Sequence, residues 1–168
     1  TWRSNYATIN ASAGKYYFEM KAGNTADNFI GILESGQMLG TNDTGYNQSK
    51  AYVMKNDGNL YNNNTSKSGG VSWTTNDVIG VAFDLTNGAI WFSKNNVWTN
   101  SATISEIAAG TTTNAAYTGI TGDFYGAMGI GKEGAIQYFN FGNGYFGTTA
   151  VTSAGTNASN NGTFEYDV

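Results

Sequence analysis

The stretch from Asp77 to Trp98, DVIGVAFDLTNGAIWFSKNNVW, constrains the fold more than any other part of the chain. Two apolar runs flank Asn87-Gly88. Asn-Gly suits the type I′ hairpin turn, because both central residues of that turn need positive φ. A two-residue turn sets Thr86 opposite Ala89, Leu85 opposite Ile90 and Phe83 opposite Phe92. Ile79, Val81, Phe83 and Leu85 then share one face with Ile90 and Phe92. A one-residue slip would break that match, so the register is well specified. The opposite face carries Val78, Gly80, Ala82, Asp84, Trp91 and Ser93. Its early positions are small, so close packing or a covering layer is expected there. A second turn at Asn95-Asn96 brings Val97-Trp98 back beside the hairpin, with Trp98 facing Ser93 close to Trp91.

The same grammar recurs along the chain. KYYFEMK alternates, with Tyr16, Phe18 and Met20 on one side and Tyr17, Glu19 and Lys21 on the other. NFIGIL is a short apolar run, and AYVMKNDGNLYNN holds Asp57-Gly58 between apolar segments, a second hairpin signal. FYGAMGI and AIQYFNF flank Gly131 to Gly134, and TFEY near the end reads as a final strand. The one helix candidate is TISEIAAG, where Thr103 or Ser105 caps a turn or so. Polar Gly/Asn/Thr/Ser segments separate the strands, among them VTSAGTNASNNG, read as a loop. Many short strands with frequent turn signals predict an all-β fold, an antiparallel sandwich or barrel with little or no helix.

Composition narrows the chemistry. The 168 residues fit one domain large enough for a real core, with 40% hydrophobic and 14% aromatic residues. Only 12% are charged, about half the usual share. Solubility comes from amides and hydroxyls. The net charge is -4 and the Lys and Arg residues are scattered, which argues against nucleic acid. The chain has no His and no Cys, which excludes Ser-His-Asp and Cys-His catalysis, disulfides and the common zinc sites. No stretch approaches the ~20 apolar residues of a membrane span. The start TWRSNYATIN lacks Met, so the sequence is expected to be a piece of a longer chain.

Several segments, in order, resemble the SPRY domain, the core of B30.2-type modules. GKYYFEM is similar to that family's first core strand and FIGIL to the next. AYVMKNDGNLYNN resembles its paired strands around a Gly turn. DVIGVAFDLTNGAIWFSKNNVW is the strongest match, and FNFGNGYF resembles the closing Asn-Phe-Gly segment. The likeness covers roughly residues 15–146, with 147–168 a polar loop and terminal strand. It departs at Asn96 and Asn76, which stand where Gly is usual, and in lacking Pro; Asn tolerates positive φ, so the first turn survives. The resemblance implies a bent antiparallel β-sandwich of concanavalin-like jelly-roll type that binds peptides or proteins through edge loops, without catalysis or cofactor. The low-charge, amide-rich style resembles SPRY domains of bacteriophage structural and bacterial surface proteins.

Loops of a rigid sandwich carry recognition. The long polar loop from Gly36 to Lys50 offers Tyr46 and Asn47, and the segment 61–73 has Tyr61 and Trp73 at its ends. Residues 114–126 contribute Tyr117 and Tyr125. Tyr, Trp and Asn suit a peptide, a glycan or another capsid subunit. Against that stands the habit of strand-end aromatics to pack the rim of a core. Trp91 and Trp98 form a possible outward aromatic patch, more often covered by a second layer. Asp84 and Glu19 do not define a glycosidase pair, and Asp84 is better explained as a strand-end residue beside the turn. KNDGN and GTNDTG offer oxygens without EF-hand spacing, so loop carbonyls are all that would hold a calcium ion. The expected function is a non-catalytic module on a virion or otherwise extracellular, in a tail fibre or decoration protein. Its partners would be virion proteins or a host-surface glycan or protein, with homo-oligomers formed through the parent protein. The rivals are a carbohydrate- or protein-binding module of a secreted bacterial protein and, third, a glycoside hydrolase.

Overall fold

The computed structural model describes residues 1–37, 45–153, 155–156 and 161–166. In chain order the strands are β1 (Trp2–Tyr6), β2 (Asn10–Ala11), β3 (Lys15–Ala22), β4 (Asn28–Glu34), β5 (Ala51–Lys55), β6 (Leu60–Asn62), β7 (Thr65–Lys67), β8 (Val78–Asp84), β9 (Ala89–Lys94) and β10 (Val97–Trp98). Helix α1 (Ile104–Ala109) follows, then β11 (Tyr117–Thr118), β12 (Phe124–Lys132), β13 (Gln137–Asn140), β14 (Tyr145–Phe146), β15 (Thr149–Ala150), β16 (Gly155–Thr156) and β17 (Thr163–Phe164). The first sheet runs β1-β12-β4-β5-β6-β7, with β2 also on β12; the second runs β10-β9-β8-β3-β13, with β11 also on β9. Every pairing within these two sheets is antiparallel. The fold is an antiparallel β-sandwich, one of the two architectures the strand grammar allowed and the one the resemblance implied.

The core lies between the sheets. Phe18, Met20, Ile79, Val81, Phe83, Ile90 and Phe92 from the second sheet pack with Ile30, Ile32, Met54, Leu60 and Phe124 from the first. Both outer faces are also covered. On the first sheet, Phe29, Leu33, Val53, Met128 and Ile130 lie beneath Trp2, Tyr46 and Tyr61. On the second, Ala82, Ala89, Trp91 and Trp98 lie beneath Ala102 and Ile107. Ala82 and Ala89 pack in this layer, and Gly80 makes room for its own neighbours in the sheet. A Cβ on Gly80 would sit 2.5 Å from Ser93 Oγ and 2.8 Å from the Tyr17 hydroxyl.

The central hairpin keeps the predicted faces but not the predicted partners. Phe83 pairs with Ile90 and Phe92 with Val81, because four residues, Leu85 to Gly88, connect Asp84 to Ala89. The cause is the Asp84 carboxylate. One oxygen accepts the backbone N–H groups of Thr86 and Asn87, both at 2.9 Å, and the other accepts Asn87 Nδ2 at 2.7 Å. Gly88 is left-handed (φ 70) and Asn87 is not, so the turn is not type I′. An offset of two residues leaves every side chain on its face, so the apolar pattern cannot reveal it. Positive φ at both central positions is found instead in the following turn, Asn95 (φ 48) and Asn96 (φ 67), as it is at Asn63 and Asn64 between β6 and β7. The Asn95-Asn96 turn sets Trp98 opposite Ser93 as expected.

Other local expectations resolve in detail. Asp57-Gly58 does turn β5 into β6, with Gly58 at φ 90. Thr103, not Ser105, caps α1: its hydroxyl accepts Glu106 N–H at 3.2 Å while its own N–H donates to Glu106 Oε2 at 2.8 Å. TFEY supplies only the two paired residues of β17. Glu165 and Tyr166 instead donate their backbone N–H groups to Glu19. The strands β1 and β2, before Lys15, were not foreseen. GTNDTG up to Thr44, and Asn157 to Asn160 of the tail, lie outside the described residues.

Candidate functional site

The two sheets are not equally wide at one side. β13 ends the second sheet, and it faces β12 of the first: a Cβ on Gly129 would lie 3.0 Å from the Phe139 ring and 2.6 Å from Gln137 Oε1. β12 is not the end of its sheet, because β1 lies beyond it. Arg3 and Asn5 are paired with Gly131 and Gly129, so they share the inward face. Among the described residues no strand of the second sheet lies beneath them.

A groove occupies that place. Its first part, about 520 Å³, is lined by Arg3, Asn5, Lys132, Gln137, Phe139 and Phe141. Its second part, about 480 Å³, continues past Ala7 and Phe141 to Ile9, Tyr16, Phe18 and Phe83. Phe141 sits between the two. It stacks on Phe139 at 5.8 Å and packs against Phe18 at the same distance, yet remains 57% exposed. A side chain that packs with the interior and is still mostly exposed marks an interior left uncovered. Ile9, Tyr6 and Tyr16 add exposed apolar surface nearby.

Charge in the groove is uneven. Lys132 lies 4.0 Å from Asp27, which also pairs with Lys55, and Glu133 lies 3.7 Å from the chain's amino terminus. Among the described residues Arg3 has no carboxylate partner. Among the described residues no backbone hydrogen bond ties residues 137–140 to anything but β3, which leaves the far edge of β13 open.

The residues singled out from the sequence are scattered, and most belong to packed clusters. Trp91 (1% exposed) and Trp98 (8%) are buried beneath the α1 layer, the covered arrangement favoured over an outward patch. Trp73 is buried too, its indole N–H donating to Asn28 Oδ1 at 3.2 Å. Tyr46 stacks on Phe29 at 4.8 Å and meets Tyr61 edge-on at 5.6 Å, so both tile the first sheet's outer face, with Asn47 exposed beside them. Tyr117 is held between Tyr52, 5.3 Å away, and the Lys67 ammonium, 3.9 Å above its ring. Burial pushes its phenol well up and lowers the Lys67 ammonium. Tyr125 stacks on the exposed Tyr6 at 4.6 Å. None of the eight lines the groove. Phe141 was missed because its exposure follows from the overhang of β1. FNF shows an aromatic alternation, but alternation does not tell whether a facing strand exists.

The carboxylates read as strand residues serve structure. Glu19 is fully buried and accepts Tyr17 Oη (3.1 Å), Asn140 Nδ2 (3.1 Å), Glu165 N–H (2.8 Å) and Tyr166 N–H (2.9 Å). Burial raises its carboxyl above the usual range, against the pull of those donors. Asp84 holds the central turn, and Asp57 pairs with Lys55 at 2.8 Å. Among the described residues no group of three His, Cys, Asp or Glu side chains is placed to hold a metal ion.

A two-sheet sandwich with an open apolar edge is the architecture of an interaction module, where another chain can cover what this one leaves bare. The SPRY domain profile matches residues 15–144, and the chain belongs to the SPRY family. Domains of that family are protein-interaction modules rather than enzymes. The chain is 28% identical over 137 residues to Ran-binding protein 10 of Danio rerio and, equally, to Ran-binding protein 9 of Homo sapiens. In both cases 80% of this chain is covered, and it spans 20% of the first relative and 17% of the second. The crystal structure of the SPRY domain of human HERC1 superposes with a TM-score of 0.61 at 17% identity, covering 82% of this chain and 81% of that one. At that identity the likeness concerns the fold.

Proposed function

We propose that this chain is a non-catalytic module that binds an extended segment of a protein partner in the edge groove. The observation that carries the reading is Phe141, packed against Phe18 and Phe139 yet exposed between two adjoining cavities. Membership of the SPRY family supports a protein as the partner class. The test is to pan a random-peptide display library on the chain and map the selected peptides by amide shift changes. Shifts clustered over residues 3–7 and 135–141, and binding lost in Phe141→Ser, are the expected result. Shifts clustered around Tyr46 and Tyr61 would refute it.

A virion or extracellular setting is the finer part of the reading. It draws support from a surface that relies on amides rather than charges, with 12% charged residues. The relatives reported above are vertebrate proteins and lend it none. Sequencing the parent reading frame tests it: flanking tail or capsid genes are expected, and a frame among animal genes overturns it. The sugar-binding alternative loses its stacking platform with the burial of Trp91 and Trp98. Of the carboxylates weighed for a hydrolase, Asp84 and Glu19 are both engaged by structural donors.

A further inference from the structure

Among the described residues the second sheet is one strand narrower than the first at this side. Among the described residues nothing bonds the far edge of β13, and the place beside it lies under the overhanging β1. Sheet edges in stable proteins are commonly guarded by Lys, Pro or a covering loop. β13 reads Gln137-Tyr138-Phe139-Asn140, with no charge and no Pro. We propose that the partner segment docks there as an added β-strand on the free edge of β13, with an acidic side chain turned inward against Arg3. This rests on the reading of the groove as a peptide site and specifies its geometry and chemistry.

Two observations commit the groove to this occupant. The first is backbone. An apolar pocket alone would accept many shapes, but an open strand edge offers alternating N–H and C=O groups that only an extended backbone satisfies in register. The second is side-chain chemistry. On an added strand, alternate residues face opposite ways. Those facing inward would lie opposite Arg3 and Asn5 and beside Phe139 and Phe141. Those facing outward would lie beside Tyr138, which is 42% exposed. Arg3 is a guanidinium without a carboxylate among the described residues, on the inner face of the first sheet. A carboxylate placed opposite it gains a charged hydrogen bond in a partly desolvated site. The preferred ligand is therefore an extended segment with an acidic residue two positions from an apolar one.

The experiment uses peptides selected from the display library on the intact chain. Each is remade with N-methyl groups on alternate backbone nitrogens, in two complementary sets. An added strand points one set at β13 and the other at solvent, so one set abolishes binding and the other spares it. Arg3→Glu weakens binding by about tenfold or more, the worth of one charged hydrogen bond, and the selected peptides carry an acidic residue. Arg3 and Phe141 are exposed, so thermal midpoints of their variants stay near that of the parent chain. Peptides that depend on Phe141 but tolerate both N-methyl sets overturn strand addition and leave the groove reading standing. An N-methyl pattern without an Arg3 effect overturns the acidic assignment. A library that yields no peptide dependent on Phe141 overturns the groove reading and the strand with it.

Discussion

Replacing Glu19 tests whether its carboxylate clasps the end of the chain. Its Oε1 accepts Tyr17 Oη and Tyr166 N–H, and its Oε2 accepts Asn140 Nδ2 and Glu165 N–H. In Glu19→Ala the two backbone donors alone, left buried and unsatisfied, would cost about 2–6 kcal/mol at ~1–3 each. The chain has a cheaper escape. Peeling residues 163–166 away hydrates those donors and forfeits chiefly the burial of Phe164, which is 4% exposed and packs on Tyr17 at 4.9 Å. That loss is about 1.5–3 kcal/mol. The cheaper route wins, so Glu19→Ala is expected to lose about 2–3 kcal/mol with the segment undocked. Glu19→Gln is milder, within ~1 kcal/mol. With its NH₂ toward Tyr17, whose hydroxyl can accept, it orphans only Tyr166 N–H, and it also relieves a buried charge. Native-state hydrogen exchange reads the difference. In Glu19→Ala the amides of Glu165 and Tyr166 should exchange as if unfolded while those of β8 and β9 remain protected. Loss of protection in equal measure across both regions would refute the clasp.

Other outcomes follow from features already described. Gly88→Ala places a Cβ 2.6 Å from the Ile120 carbonyl oxygen at a positive φ, and should cost at least ~2 kcal/mol in urea denaturation. Asn96→Gly relieves a left-handed residue at φ 67 and should raise stability by a few tenths to ~1 kcal/mol, seen as a higher thermal midpoint. Burial raises the Asp77 carboxyl, but Thr74 N–H, Asn95 Nδ2 and Lys94 outweigh it and hold the group below the usual range. Its contribution is therefore present above the ordinary aspartate pKa of about 3.9 and lost as pH falls through the lower folded value; Asp77→Asn should flatten that acid limb in a urea titration. Glu19 has the opposite sign: its folded pKa is raised, so its contribution is full below the ordinary glutamate range and lost as pH rises through the folded value. Glu19→Gln should remove that slope.

Side-chain parity along β8 and β9 was legible because a period of two is written directly into IGVAFDL and AIWF. The pairing itself was not. Parity is blind to a shift of two residues, and the local turn that Asp84 makes with Thr86 and Asn87 competes with the Asn-Gly signal in the same four residues. β1 was unreadable for a related reason: Trp2-Arg3-Ser4-Asn5-Tyr6 is a polar edge strand, ordered by β12 rather than by its own pattern. For the site, the sequence named aromatic residue types and loops, and the structure moved the emphasis elsewhere. Trp91 and Trp98 are as apolar as any surface platform would be; only the placement of Ala102 and Ile107 above them shows that they are core. The groove follows from strand counts on two sheets, a property of topology that no single segment carries.

The pairing of residues 2–6 with residues 128–132 has a consequence for the order of assembly. Within this domain β1 is synthesised before the other strands, and it cannot find its neighbour until nearly the whole domain has been made. Contacts at such separation carry a large loop-closure cost and form late. Until then the amino-terminal segment waits without a partner. The first strand of the domain is thus among the last to be placed.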